Sequence, residues 1–354
     1  MLNAMKKSIT IEQVAQQAGI GLGTASRALS GRGSVSPETR ERVLRIASQI
    51  GYEANPHAQR LANGRIENTV AIFAGIDLGI ATMRLWQIQS RLNEKDYITD
   101  VHLLPSYVTD QEKRQIKILR DLRRMNPAAI VTQSTGLDEG ARQELRKYQE
   151  SGGIIVTFDA PVDLECDQII FDQEDCTYQA AKHLLDMGHR AISYLRPYFH
   201  NDANALHLRG VDHRLHGAQQ ALREQSLDLH NTDFFHRKLD ESGAEEMAKM
   251  FMALRRKPTG VIASDSAAAV FMHALIRNGM RVPEDLSIVG YDNTPPAQTA
   301  IVPITSVAYP LQEVGHHIAE MVQSRLNGTY TGAPRHVTLR NTLVQRQSVA
   351  PPRS

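Results

Sequence analysis

The sequence predicts a small all-α head joined to a larger α/β core of two doubly wound lobes. Three observations carry this. Residues 9–53 hold three short stretches with helical apolar spacing and no strand pattern. From Thr69 onward, short apolar runs without two-residue alternation are separated by amphipathic stretches, the mark of parallel sheets covered on both faces. That alternation restarts near residue 170, so the core divides into two such units. At 354 residues the chain is also too long for one ordinary core.

The head is legible residue by residue. Thr10 suits an N-cap, and Gln13 stands where a capping box closes. Ile11, Val14, Ala15 and Ala18 recur on one helical face, and Gly19 supplies the stop. A second helix is expected from about Leu22 to Leu29. Ala25, Ala28 and Leu29 turn inward, while Leu22, Gly23, Ser26 and Arg27 turn away. Gly21 stands at its N-cap, where glycine costs only a few tenths of a kcal/mol relative to serine or threonine. Two short helices joined by a glycine turn make a helix-turn-helix unit. A third helix starts at Ser36-Pro37, runs along Val43, Leu44, Ile46, Ala47 and Ile50, and stops at Gly51. Residues 1–65 carry nine Lys or Arg against four Glu, on a chain whose formal net charge is +1. A basic end on an otherwise acidic chain is the footprint of a nucleic-acid reader.

These residues carry a resemblance. VA..AG at Val14, Ala15, Ala18 and Gly19, T.SR.L.G from Thr24 to Gly31, and VS.ETRERV from Val35 stand in register. Gly51-Tyr52, Asn55, Ala58 and Leu61 follow. The stretch resembles the DNA-binding head of the lactose-repressor (LacI/GalR) family of bacterial transcription regulators. Residues 1–8 read as a loose leader, and the resemblance implies a helix-turn-helix head at 9–53 and a hinge helix or linker at 54–65. It implies DNA contacts from Ile11, Leu22, Gly23, Ser26, Arg27, Ser36, Thr39, Asn55, Ala58, Gln59 and Leu61. Arg27 is the expected base reader, since arginine pairs bidentately with guanine. Ser26, Ser36 and Thr39 suit phosphates or secondary base contacts. Leu61 is the expected minor-groove wedge. The hinge departs from the usual family pattern, with Ala54-Asn55-Pro56 in place of Pro-Asn.

Along the core, VAIFAGI, VHLLP, AAIVTQS, GGIIVTFD, DQIIFD, AISYLRP, TGVIASD and LSIVGYDN are the expected strands. Helices are expected at Met83–Lys95, Asp110–Met125 and Asp138–Glu150, and helical stretches continue the alternation beyond. AAKHLLDMGHRAISYL, RLHGAQQAL, PTGVIASD, VPEDLSIVGYDNTPPA, P.TSV and LV.R.S extend the resemblance. It implies a core similar to periplasmic sugar-binding proteins, with a ligand cleft between lobes crossed by three strands near Phe171, Ala308 and Gly328. The N-lobe is then 66–171 with 309–328, and the C-lobe 172–308 with 329–354.

Ligands of open α/β sheets sit at the carboxyl ends of strands. Asp77, Asp159, Ser264, Asp265 and Asp292 lie at such ends, where carboxylates can accept bonds from sugar hydroxyls. Arg214 opens RLHG, the family's place for an effector-contacting arginine. Lys238 falls where sugar- and purine-binding relatives place an aromatic wall. Two readings stay open: a sugar acid or sugar phosphate paired with Lys238, or a neutral sugar walled by Phe234 or Phe235. The stretch from Arg196 to His213 is longer than its family counterpart and enters near the cleft.

Several classes are excluded. No G-x-S-x-G elbow, P-loop, G-x-G-x-x-G or H-E-x-x-H is present, so no enzyme and no cofactor is expected. His200, His207, His213 and His216 fit no standard zinc spacing, so no metal is expected. Cys166 and Cys176 are expected to be free thiols. No export signal or membrane span is seen, so the expected place is the bacterial cytoplasm, associated with the nucleoid. The alternative, a sugar-binding protein or enzyme without a DNA role, leaves the basic head unexplained. The expected partners are double-stranded operator DNA, a sugar-type effector and a second copy of the chain. The NTLVQRQSVAPPRS terminus has no heptad, so a dimer is expected instead of a tetramer.

Overall fold

The computed structural model describes residues 9–30, 35–52, 66–76, 79–105, 110–195, 213–229 and 240–353. The chain divides into two compact units, Met1–Ile66 and Glu67–Ser354.

The first unit holds α1 (Ile11–Ala18), α2 (Leu22–Ser30) and α3 (Pro37–Ile50). Each boundary has a local cause. The Thr10 N–H donates to Gln13 Oε1 at 2.9 Å, the reach-back half of a capping box. Gly19 ends α1 with φ 64°, a left-handed turn that glycine takes without strain. Ser36 Oγ accepts the Thr39 N–H at 3.3 Å, and Pro37 follows at the first helical position. Val14, Ala18, Ala28, Val43 and Ala47 form the core of the three helices. Val14 and Val43 are fully buried, each contributing about 1.5–3 kcal/mol.

The second unit contains two sheets. The N-lobe sheet has β1 (Ile66–Ile76), β2 (Ile98–Pro105), β3 (Pro127–Gln133), β4 (Ile154–Asp159), β5 (Asp167–Phe171) and β10 (His336–Leu339), in the order β10-β5-β4-β3-β1-β2. Helices α4 (Ile80–Asn93), α5 (Gln111–Met125) and α6 (Glu139–Glu150) connect the first four strands. The C-lobe sheet has β6 (Ile192–Tyr194), β7 (Gly260–Ser264), β8 (Ser287–Asp292), β9 (Thr305–Ala308) and β11 (Thr342–Val344), in the order β11-β9-β8-β7-β6. Its helices are α7 (Gln173–Asp186), α8 (His213–Arg223), α9 (Glu241–Ala253), α10 (Asp265–Arg277) and the short α11 (Pro295–Thr299). Helix α12 (Leu311–Leu326) packs on α4.

Alternate residues of one strand feed opposite cores, which explains why the strands lack a polar face. Val70, Ile72 and Ala74 of β1 enter one cluster, while Ala71 and Phe73 enter the other. In β7, Val261 and Ala263 face one cluster and Ile262 the other.

The third crossing differs from expectation. β10 pairs in parallel with β5, His336 opposite Gln168 and Leu339 opposite Phe171. Residues 336–339 therefore belong to the N-lobe sheet, and the chain crosses between Leu339 and Thr342, not near Gly328. The cause is a buried carboxylate. Asp167, 1% exposed, receives Arg325 at 2.7 Å and Arg335 at 2.5 Å, which draws the returning chain along the free edge of β5. Tyr330 lies under both guanidinium groups, at 4.6 and 4.3 Å from its ring centroid.

Among the described residues no helix is long and apolar enough to cross a membrane.

Candidate functional site

Two surfaces carry candidate residues. On the head, Leu22, Gly23 and Arg27 are exposed and Ser26 is half-buried, while Ala25 and Ala28 of the same helix are buried. Helical geometry alone separates them, since Ala25 and Ala28 are three residues apart on the inner face. Arg27 Nε donates to the Gly23 carbonyl at 3.0 Å, which lays the side chain back along α2. Ser36 Oγ also donates to Thr39 Oγ1 at 2.8 Å, with Ser36 exposed and Thr39 half-buried. Ile11 is half-buried at the start of α1. Asn55, Ala58, Gln59 and Leu61 lie outside the described residues.

The second surface forms where the strands of both sheets end. Asp159 closes β4 and Asp292 closes β8. Both carry a positive φ, 106° and 93°, a conformation that costs a residue with a side chain about 1–3 kcal/mol. Such strain persists only where surrounding contacts over-determine it, and the contacts here are charged.

Asp159 is 4% exposed. Its Oδ1 accepts Arg84 Nη1 at 3.3 Å and Gln173 Nε2 at 3.3 Å, and its Oδ2 accepts Gln133 Nε2 at 2.8 Å. Burial works against its charge, but Arg84 beside it and the hydrogen bonds of Gln133 and Thr135 hold its carboxyl below the usual range. Arg84 comes from α4, on the face shared by Ala81, Leu85, Ile88 and Leu92. It is 6% exposed, its guanidinium lies 5.2 Å from the Phe158 ring centroid and 5.6 Å from that of Phe171, and its Nε has no hydrogen-bond partner.

Across the crossing strands, Arg214 Nη2 donates to Asp292 Oδ1 at 3.3 Å and to the Tyr309 hydroxyl at 3.4 Å. Its guanidinium sits 4.9 Å from the Tyr291 ring centroid, and its Nε is also without a partner. Burial pushes the Asp292 carboxyl up, and the single contact from Arg214 only partly opposes this. Phe171 and Tyr309 meet edge to face at 4.9 Å, so aromatic rings join the two arginines.

Asp265 is placed differently from the effector contact expected of it. Its Oδ2 accepts the Thr294 N–H at 2.6 Å and the Thr294 hydroxyl at 3.0 Å, and its Oδ1 accepts the Ser306 hydroxyl at 2.7 Å. These three bonds tie α10 to β9 and to the start of α11. Ser264, half-buried, precedes it at the end of β7 and makes no capping bond. Asp77 and Lys238 lie outside the described residues, as does nearly all of the stretch from Arg196 to His213.

Arg84, Gln133, Gln173, Phe158, Phe171, Tyr291 and Tyr309 were not anticipated. Two signals were available. Gln133 ends a strand, and Arg84 interrupts the apolar face of an amphipathic helix at a spacing of four from Ile80 and Ile88. Among the described residues no cluster of His, Cys, Asp or Glu could hold a metal. Both cysteines are buried, which pushes the Cys166 thiol up to about 12 and Cys176 higher still, so neither is a ready nucleophile.

Residues 10–55 match the family described as bacterial regulatory proteins, lacI family. Over 97% of this chain and 98% of the relative, the sequence is 29% identical to the HTH-type transcriptional regulator DegA of Bacillus subtilis (strain 168). The chain belongs to the LacI/GalR family. Residues 181–349 match the family described as periplasmic binding protein-like domain. The HTH-type transcriptional regulator GalS of Salmonella typhimurium is 27% identical over 97% of both chains. A structure of a transcriptional regulator CelR-cellobiose complex is 25% identical, covers 96% of this chain and 99% of its own, and aligns with a TM-score of 0.62. The lac repressor dimer bound to operator and an anti-inducer shares the fold at a TM-score of 0.77, with 21% identity over 97% of this chain and 100% of its own. As a LacI/GalR member, the protein is a DNA-binding transcriptional regulator and not an enzyme.

Proposed function

We propose that the protein is a repressor that binds a pseudo-palindromic operator as a homodimer, with operator affinity set by a small hydroxylated effector in the cleft between the lobes. The observation that carries this is the pair of strained aspartates at corresponding strand ends, each held by an arginine, with the cluster spanning both sheets. A ligand bound there contacts both lobes at once and so favours one relation between them. By linkage, it then shifts DNA affinity by whatever free energy separates the two lobe arrangements.

On the DNA side, the outer face of α2 enters the major groove, with Arg27 reading guanine and Ser26, Ser36 and Thr39 on phosphates. Leu22 and Gly23 offer no side-chain hydrogen bonds, so readout beside them is apolar or by shape. Asn55, Ala58, Gln59 and Leu61 supply the hinge contacts, with Leu61 as the minor-groove wedge. Relatives named as repressors, including PurR of Vibrio vulnificus, support the negative sign of control. The cellobiose-bound CelR structure supports a sugar-type effector.

The test is binding of the full chain to DNA fragments from around its own gene, across a salt series. A tight complex whose log affinity falls steeply with log salt, and which a small molecule weakens, is the expected result. Equal affinity for unrelated fragments would overturn the operator reading.

A further inference from the structure

We infer that the effector carries an oxyanion, a carboxylate or phosphate on a hydroxylated frame, and that Arg84 receives it together with Arg214. This rests on the cleft being the effector site.

Asp159 has little left to offer a ligand, because Arg84, Gln173 and Gln133 already donate to its two oxygens. What remains is donor capacity. The Nε–H of Arg84 is buried without a partner in a side chain 6% exposed, and the Nε–H of Arg214 is likewise unmet. Each arginine holds its aspartate through one contact of 3.3 Å. Charge-assisted pairs are normally shorter, and Arg325 meets Asp167 in this same protein at 2.7 Å. Arg84, bonded only through Nη1, therefore keeps its Nε side for a better acceptor, while Arg214 offers its single Nε–H, its Nη2 already serving Asp292 and Tyr309. A guanidinium edge is a fork whose geometry matches the two oxygens of a carboxylate or phosphate.

The surroundings favour the same ligand. Phe158 and Phe171 flank Arg84 and Tyr291 flanks Arg214, which limits water around the cations. An incoming oxyanion meets poorly hydrated guanidinium groups on both sides. Gln133 Oε1, also buried without a partner, is the acceptor left for a hydroxyl. A neutral sugar would satisfy that acceptor but leave the guanidinium edges to ordinary hydroxyl oxygens.

The experiment is calorimetry and thermal shift on the full chain with matched sets: glucose, glucuronate and glucose 6-phosphate, then galactose, galacturonate and galactose 6-phosphate, then gluconate. The uronate, aldonate and phosphate arms separate the two sources of oxyanion. At least one charged member is expected to bind about tenfold or more tighter than its neutral parent. Arg84→Lys keeps a cation beside Asp159 and removes the fork. It is expected to fold, with a thermal unfolding midpoint close to wild type, and to lose about tenfold in affinity for that charged member. Arg84→Met serves as the stronger variant if it folds. Binding of neutral sugars as tight as their acids, an Arg84→Lys protein with unchanged affinity, or no stabilisation by any charged member at millimolar concentration would each overturn the assignment. DNA binding on the same preparations reports separately on the regulator reading.

Discussion

Arg27 and Asp265 show what single side chains decide. Arg27 extends from the outer face of α2, anchored through Nε to Gly23. Arg27→Ala is expected to cost about 1–3 kcal/mol per lost bidentate guanine pair in each half-site, with ligand binding by the core unchanged. Footprinting gives the answer, and a normal footprint from the variant would remove Arg27 as a base reader. Asp265 makes a different kind of prediction. Burial pushes its carboxyl up to about 7, while Ser306 and Thr294 donate to it and oppose the shift. An unfolded aspartate titrates near about 3.9. A carboxyl raised on folding contributes stability that is complete below about pH 4 and lost as pH rises through about 7. The gap in unfolding free energy between wild type and Asp265→Asn should therefore shrink as pH rises across that window. Denaturant melts at stepped pH measure it, and a constant gap would show that the carboxyl does not titrate there.

At the scale of elements, glycine contacts position both Arg84 and Arg214. Helix α8 carries Arg214 and lies so close to α7 that a Cβ on Gly217 would overlap the Glu174 carbonyl. Thr177 of α7 donates to the Arg214 carbonyl across the same contact. Helix α4 carries Arg84, and a Cβ on Gly315 of α12 would fall 2.5 Å from the Gln87 carbonyl oxygen. Neither backbone neighbour can move as a side-chain tip can. Gly217→Ala and Gly315→Ala are each expected to cost about 1–3 kcal/mol of stability, and Gly217→Ala to weaken ligand binding as α8 is displaced. Thermal unfolding and calorimetry check this. An alanine variant with unchanged stability would mean the helix pair has room that the backbone contacts deny.

For the whole molecule, the expected assembly is a dimer through the core. Trp86 on α4 and Ile98 on the edge strand β2 are 63% and 62% exposed, and the two elements are neighbours. Exposed apolar groups of this size, at an unpaired strand edge, suit contact with a second copy. Sedimentation at micromolar concentration is expected to give a dimer, and Trp86→Glu to raise its dissociation constant about tenfold or more. A tetramer, or a Trp86→Glu protein that dimerises as before, would count against this surface. The C-terminal residues are occupied elsewhere: Ser348 is buried against Ile288 and Thr305, and Ala350 bonds to Ser287 and His189.

The head was readable from the sequence because its signals act within one helical turn. Thr10 meets Gln13 three residues on, Ser36 meets Thr39, and Gly19 and Gly51 take left-handed turns that need no distant partner. Strand ends at Asp159 and Asp292 were readable too, since apolar runs announce the strands and open sheets bind at their carboxyl ends. Which strand-end groups remain available was not readable. Asp265 looks like Asp292 in sequence, yet its acceptors are taken by residues 29 and 41 positions away. Arg84 meets Asp159 across 75 positions, and Asp167 draws in Arg335 across 168, which moves the third crossing. Those pairings exist only once the sheet order is set. Local backbone preference is written into neighbouring residues, whereas the partner of a buried charge is chosen by which strand ends the fold brings together.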